Sequence, residues 1–297
     1  FRRVALPICV KMKKILLTGG NGFFCTRFAA RYKNTYDILS ASSSMLDITD
    51  ESQVTETIRN FKPDYVIHAA AKANTDFCDK NPELAHKINV TGAINVAKTC
   101  KEVHSKMIFL SSEQVFNGNT EVGPYTEDVT PCPDTMYGKN KFEAEGLLKE
   151  VLDELWILRF TWLFGLPERN CSMSPNILWG TLTNILQGKK TKVTPNEYRG
   201  LTYVHEVIDQ FPKIFEIPYG TYHVGSHNNL SRYDICSLIL KEIGLEHRID
   251  ELLEMDLEKY KDHTRDIRLC TNKIKSYGIN FSESTDGIKK CLKEFKL

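Results

Sequence analysis

Residues 13–165 predict an α/β fold on a doubly wound parallel sheet, and residues 166–297 mainly a smaller mixed α/β lobe. Three observations carry this expectation. Short apolar runs alternate with stretches of helical period, the rhythm of a parallel sheet whose crossovers are helices. The apolar runs are nearly uninterrupted, as strands covered on both faces require. The first of them passes directly into a glycine cluster and then a helix, the junction where open α/β sheets bind ligands.

Taken in order, "KILLTGG" is a buried strand ending in glycines, and "FFCTRFAARYKN" a helix. "YDILSASS" reads as a second strand, and "DESQVTETIRNF" as a helix capped by Asp50 or Ser52, with Asp50 and Glu51 as first-turn carboxylates. "PDYVIHAAA" is a strand, "NPELAHKINVTGAINVAKTCKEV" a long helix and "KMIFLSS" the next strand. A polar loop leads to the helix of "DTMYGKNKFEAEG", and "LWILRFTWLFG" is a further strand. After Gly165 the alternation breaks. A loop, the helix "ILWGTLTNILQG", the strand-like "TKVTP", a helix near 204–216, "GTYHVGS" and a helix over 231–243 follow. Residues 190–216 are expected to return to the first layer. The remainder should pack on the carboxyl edge of the sheet, over the ligand crevice.

Composition excludes several classes. A hydrophobic content of 41% with 26% charged residues is that of an ordinary globular chain. A net charge of +1 offers no field for nucleic acid or a membrane surface, and no apolar run approaches the roughly 20 residues a bilayer crossing needs. Nine scattered cysteines without a C-x-x-C pair argue against a disulfide framework or zinc site and for a reducing, cytoplasmic setting. No histidine pattern suggests a metal, so none is assigned. Residues 1–12, "FRRVALPICVKM", are expected to be a non-native or disordered leader.

In "TGGNGFFC", Gly19 and Gly22 can let backbone amides approach a pyrophosphate at the positive end of a helix; a tight strand-to-helix turn is the plainer alternative. Cys25 stands where a third glycine would allow the closest helix–strand approach. The second strand ends in "SASSS" with no acidic residue to hold a ribose, so Ser42, Ser43 and Ser44 can donate to a 2′-phosphate. NADH and NADPH both stay open, with a lean to NADPH.

"TGGNGF", "VIHAAA", "INVTGAINV", "FLSSEQVF", "YGKNK" and "RGLTYVHEV" occur in one order that resembles the extended short-chain dehydrogenase/reductases, a Rossmann-type family. Within it, "LDITD", "KPDYVIHAAAKANTDFCDKNPELAHKINV", "PYTEDVTPCPDTMYGKNKFEAE" and "LSRYDICSLI" are most similar to dTDP-4-dehydrorhamnose reductase. The resemblance runs from Lys13 onward and implies an NAD(P)H-dependent oxidoreductase acting on a nucleotide sugar.

It makes Ser112, Tyr137 and Lys141 the catalytic set. Reducing a ketone requires a proton at its oxygen, and an ammonium one helical turn from a phenol is expected to lower the phenol's pKa. Ser112 would polarise the carbonyl, or merely cap a strand end. Toward the cofactor the resemblance places Gly19, Asn21, Gly22, Phe23, Phe24 and Ser42, together with Tyr137 and with Lys141, which should also reach the nicotinamide ribose hydroxyls. Asp47 matches a position near the adenine, with Ile48 beside it, and helix capping is Asp47's rival role. Ala69, Ala70 and Ala71 offer close passage, next to a buried His68. Asn89 matches an asparagine near the catalytic group, or packs its helix. Toward the substrate stand Glu113, Gln114, Trp162, Asn176, Arg199 and Arg265. Gln114 replaces a usual tyrosine, and Glu113 a usual aspartate, which leaves the sugar open. The arginines suit a diphosphate, or are solvated surface residues, and Trp162 lines the sugar pocket or the core. Reduction of a dTDP-4-keto-6-deoxy sugar is the leading expectation. An epimerase or dehydratase, and a non-catalytic subunit like the beta subunit of methionine adenosyltransferase, are the alternatives. A homodimer is allowed by analogy with such sheets.

Overall fold

The computed structural model describes residues 12–297; the expected leader falls almost wholly outside the described residues. Six strands form the main sheet: β1 (Lys14–Thr18), β2 (Asp37–Ala41), β3 (Tyr65–His68), β4 (Lys106–Ser112), β5 (Leu155–Phe160) and an edge strand, Gly220–Val224. Their spatial order is β2-β1-β3-β4-β5 and then that edge strand, every pair being parallel. The chain therefore reverses its direction of travel at β1 and β3. The expected doubly wound α/β sheet is present.

Helices cover both faces. α1 (Phe23–Tyr32) follows β1, α2 (Glu51–Phe61) follows β2, and α3 (Thr75–Lys80) with α4 (Pro82–His86) follow β3. A π turn, Lys87–Thr91, runs from α4 into α5 (Gly92–Val103), and α6 (Met136–Val151) lies between β4 and β5. Asp50 caps α2, its carboxylate accepting from Ser52 N and Gln53 N. That settles the capping residue, because Ser52 already lies inside the helix. α2, α5 and α6 bury Val54, Ile58, Val96, Ala97, Ala144 and Leu148 against one face. Phe24 and Phe28 of α1 pack on the other, with Phe211 5.2 and 5.3 Å from their ring centres. Burial of each Val, Ile, Leu or Phe side chain among these contributes about 1.5–3 kcal/mol.

The rest of the chain builds the rim. β6 (Trp162–Phe164) and α7 (Ile177–Leu186) are followed by β7 (Thr191–Val193), β8 (Glu197–Tyr198), β9 (Leu201–Tyr203) and α8 (Val204–Gln210). The edge strand β10 (Gly220–Val224), α9 (Arg232–Glu242), α10 (Ile249–Leu252), β11 (Leu253–Met255), β12 (Arg265–Asp266), α11 (Asn272–Lys275) and α12 (Ser284–Glu294) complete it. Three short parallel ladders, β6 with β9, β7 with β11 and β8 with β12, tie it together. α8 returns to pack on α1. β10, beyond the 190–216 stretch expected to return, joins the main sheet beside β5. Among the described residues no helix is long and apolar enough to cross a membrane, no metal-binding cluster occurs, and the eight cysteines are free.

Candidate active site

A cleft of about 660 Å³ opens at the carboxyl ends of β3, β4 and β5 and is roofed by β6, the loop before α7 and the β8–β12 ladder. Its floor begins at the glycine turn. Gly19 has φ +70°, and a Cβ there would lie 2.8 Å from the Ala70 backbone. A Cβ on Gly20 would strike Ser40, 2.4 Å from its Oγ. Only glycine permits this crossing of β1's exit over β2 and β3. Gly22 stands at the N-cap of α1 and Asn21 is exposed beside it, so the first amides of the helix face outward without a side-chain cap. Phe23 and Phe24 line the cleft, as do Ala69 and Ala71 at the exit of β3. Cys25 is fully buried against the strand, its Sγ 3.9 Å from Thr18 O. The small thiol is accommodated where the third glycine is missing.

Other expected cofactor positions lie further out or behind. Ser42 Oγ pairs with Ser44 Oγ at 2.8 Å. Asp47 is exposed and accepts from Thr49 N and Oγ1, closing its own turn, while Ile48 is buried beneath Gly92. Asn89 sits in the π turn, a local distortion common near functional sites. Its amide accepts from Lys72 N at 2.7 Å and donates to Lys72 O at 3.0 Å. It thus fixes the loop that carries Ala71, Ala73 and Asn74 along the cleft without lining the cleft itself.

The catalytic candidates meet where β4 ends against the start of α6. A Cβ on Gly138 would lie 2.5 Å from Gln114 O, so this glycine lets the helix close on the turn after β4. Ser112 caps that turn, accepting from Gln114 N at 3.2 Å, and also hydrogen-bonds Tyr137. Both roles considered for Ser112 are therefore compatible. Lys141 is buried one turn after Tyr137 and donates to Leu110 O at 2.8 Å. Its ammonium stands 6.0 Å from the Tyr137 ring centre and 4.4 Å from that of Phe109. Burial lowers the Lys141 pKa to about 8, against the pull of Glu145. His68 beside it is held near 3 by burial and by that ammonium, so its imidazole is neutral. Its Nδ1 pairs with Thr18 Oγ1 at 2.9 Å.

The sign of the Tyr137 shift differs from the sequence expectation. Burial pushes the phenol's pKa up, and the hydrogen bond with Ser112 opposes that rise. Spacing along a helix reports that an ammonium is near; it does not report how much water the phenol has lost.

Opposite this set lies a charged cluster. Register across the β8–β12 ladder puts Arg265 against Glu197, and the two form an ion pair. Arg232 Nη1 donates to Glu197 Oε2 at 3.0 Å, and Arg199 pairs with Glu113 while lying 3.8 Å from Glu197. Arg265 also donates to Asn117 Oδ1 at 2.5 Å and Gln114 Oε1 at 3.1 Å. Trp162 lines the cleft with the Arg199 guanidinium 4.4 Å from its ring centre. Glu197 is buried, which alone would raise its pKa, but the three arginines outweigh that and hold it near 2. Glu113 is buried too; there burial outweighs Arg199 and Arg265, and its pKa rises to about 7. Glu113 Oε2 and Arg199 Nε are buried and unpaired.

Asn176 does not line the cleft. Its side chain caps α7, accepting from Trp179 N and donating to Gly165 O and Ser174 O, and Ser174 and Pro175 stand on the cleft wall instead. Sequence reasoning missed Glu197, Arg232, Tyr260 and Asn117. Arg232 directly follows the Ser231 cap in "LSRYDI", and Glu197 stands two residues before Arg199. Those were the available signals. As it stands the arrangement can pass a proton to an oxygen beside Ser112 and hold an anion at the arginines.

Residues 12–297 match the family model for the RmlD substrate binding domain. Spore coat polysaccharide biosynthesis protein SpsK of Bacillus subtilis (strain 168) is 28% identical over 255 residues, covering 85% of this chain and 86% of that protein. Methionine adenosyltransferase 2 subunit beta of Xenopus laevis is 27% identical, covering 80% and 74%. dTDP-4-dehydrorhamnose reductase of Aggregatibacter actinomycetemcomitans is 29% identical, covering 78% and 79%. In fold, the crystal structure of dTDP-4-dehydrorhamnose reductase from Bacillus anthracis str. Ames, in complex with NADP, superposes with a TM-score of 0.85 at 24% identity, over 95% of this chain and 99% of that one. The chain belongs to the RmlD substrate-binding-domain family of the extended short-chain dehydrogenase/reductases, a family of NAD(P)-dependent oxidoreductases.

Proposed function

We propose that this protein reduces a nucleotide-activated 4-keto-6-deoxy sugar, of the dTDP-4-dehydrorhamnose type, at the expense of NADPH or NADH. One observation carries the reading: Ser112, Tyr137 and Lys141 face a cleft whose opposite wall presents three arginines against two carboxylates. A proton donor and an anion clamp on facing walls suit a substrate with a ketone at one end and a diphosphate at the other.

The residues present fit the dinucleotide. A side chain at Gly19 would close the turn, and the uncapped amides of α1 with Gly22 and Asn21 would hold the pyrophosphate. The second strand ends in serines rather than a carboxylate that would repel a 2′-phosphate, which supports the lean to NADPH. When bound, the nicotinamide supplies the hydride. A phenol kept protonated by burial is loaded with the proton that the reduced oxygen must receive, so the upward shift suits reduction. Ser112 orients that oxygen and stabilises charge on it. The Lys141 ammonium stabilises the phenolate left after transfer. Trp162 with Arg199 would bound the sugar, and Arg199, Arg232 and Arg265 would hold the diphosphate.

Purified protein incubated with NADPH or NADH and a dTDP-4-keto-6-deoxy sugar should consume reduced cofactor in proportion to sugar. Turnover of a sugar nucleotide without net cofactor consumption would favour an epimerase or dehydratase instead. The likeness to methionine adenosyltransferase 2 subunit beta supports a second reading, a non-catalytic subunit. No turnover together with a stoichiometric enzyme partner in a native pull-down would select it.

A further inference from the structure

Tyr137, Lys141 and Glu145 succeed one another at four-residue intervals on α6, so they share one helix face. Glu145 is 1% exposed and takes no part in the reaction described above. Ser111 Oγ donates to its Oε1 at 2.5 Å, from the residue next to Ser112. Arg159, itself 3% exposed, grips it in fork geometry: Nε lies 3.0 Å from Oε1 and Nη2 2.6 Å from Oε2. Arg159 Nη1 lies 3.3 Å from His223 Nε2, and His223 Nδ1 lies 3.1 Å from Tyr125 O. A buried carboxylate thus stands one turn behind the lysine, locked by β4, β5 and β10.

We propose that Glu145, fixed by Arg159 and Ser111, is a positioning residue that keeps the buried Lys141 amine charged and seated on Leu110. The proposal rests on the reading of Tyr137 and Lys141 as the proton-donating pair. Few other groups face that amine. On α6 they are Tyr137 and Glu145; from β3 comes the neutral His68, and from β4 the Leu110 carbonyl and the Phe109 ring. Arg159 on β5 and His223 on β10 stand behind Glu145. Of these only Glu145, gripped by Arg159, is a carboxylate. Burial opposes the ammonium and Glu145 opposes the burial, with the balance near pH 8. Without the carboxylate, the lysine would lose its proton within the physiological range.

The test is Glu145→Gln, read by NMR titration of the 13C-labelled Lys141 side chain in the free protein and by the pH profile of kcat. The midpoint should fall by about 1–3 units, the size expected for a close opposite charge. The alkaline limb of kcat should move down with it while KM for the sugar nucleotide holds. An unmoved Lys141 midpoint, or activity lost evenly at every pH, overturns the proposal. Should Glu145→Gln fail to fold because Arg159 is left unpaired, the double variant Glu145→Gln/Arg159→Met removes both charges. A smaller fall in midpoint is expected there, because the opposing Arg159 charge is removed as well, and an unchanged one overturns the proposal equally. The NMR titration needs no turnover. A protein that reduces no keto sugar yet shows the shift would contradict the proposed reaction and leave the role of Glu145 standing.

Discussion

Replacing Lys141 by Met keeps the side chain's bulk and removes its charge. In the proposed reaction that charge acts when Tyr137 has given up its proton and become a phenolate. With the ammonium 6.0 Å from the ring centre and an effective dielectric of about 20, the attraction is roughly 332/(20 × 6.0), or about 2.8 kcal/mol. That corresponds to about two pKa units, hence roughly a hundredfold in kcat. Burial has already raised the phenol, so no reserve remains to absorb the loss. The arginine cluster is untouched, and KM for the sugar nucleotide should change less than about threefold. Affinity for the reduced cofactor should fall if Lys141 also reaches its ribose. Stopped-flow single turnovers separate the chemical step from binding, and a melting curve checks the fold. A variant that keeps kcat within threefold of wild type, or loses only KM, would refute the assignment of Lys141 to the proton-transfer step.

Tyr137→Phe removes the proton itself and should lower kcat by about 10²–10⁴ with cofactor affinity nearly unchanged, measured by steady-state kinetics and fluorescence titration. Gly19→Ala puts a Cβ at φ +70° and 2.8 Å from the Ala70 backbone. Calorimetry should show destabilisation of at least about 1–2 kcal/mol, with weakened dinucleotide binding; unchanged binding would remove the turn from the cofactor site. Glu113 titrates near 7 because of its burial. Below that pH it is neutral and the cluster is more positive; above it the carboxylate offsets an arginine. KM for the sugar nucleotide should therefore rise as pH increases through 7, and Glu113→Gln should flatten that rise. A slope unaffected by the substitution would assign it elsewhere. Above about pH 8, kcat should fall as Lys141 loses its proton.

The sheet was legible because burial on both faces leaves its mark on every strand: "KILLT", "YVIH" and "KMIFLSS" have little else to be. The glycine turn was legible for the same local reason, since Gly19 answers a left-handed backbone and a close approach. What spacing could not supply was depth and partnership. The segment "GTYHVGS" stood out along the chain, but nothing in it says that residues 220–224 pair with β5. Asn176 was expected on the substrate side, yet its amide is engaged in capping α7. The β8–β12 ladder, two residues on each strand, brings Arg265 to Glu197 across 68 positions. No periodicity records so short a pairing. Arg232 was hidden for a related reason: as the first residue of α9 it carries no periodic mark of its own. The direction of the Tyr137 shift depends on lost water, which a four-residue interval does not encode.

Mixing the protein with one equivalent of reduced nicotinamide cofactor and excess dTDP-4-keto-6-deoxy sugar, and following the reduced cofactor's absorbance while the sugar is resolved by chromatography, bears most directly on the central claim. One cofactor oxidised for each 4-hydroxy sugar formed is the predicted result. Sugar converted with the absorbance unchanged, or bound without conversion, would contradict it.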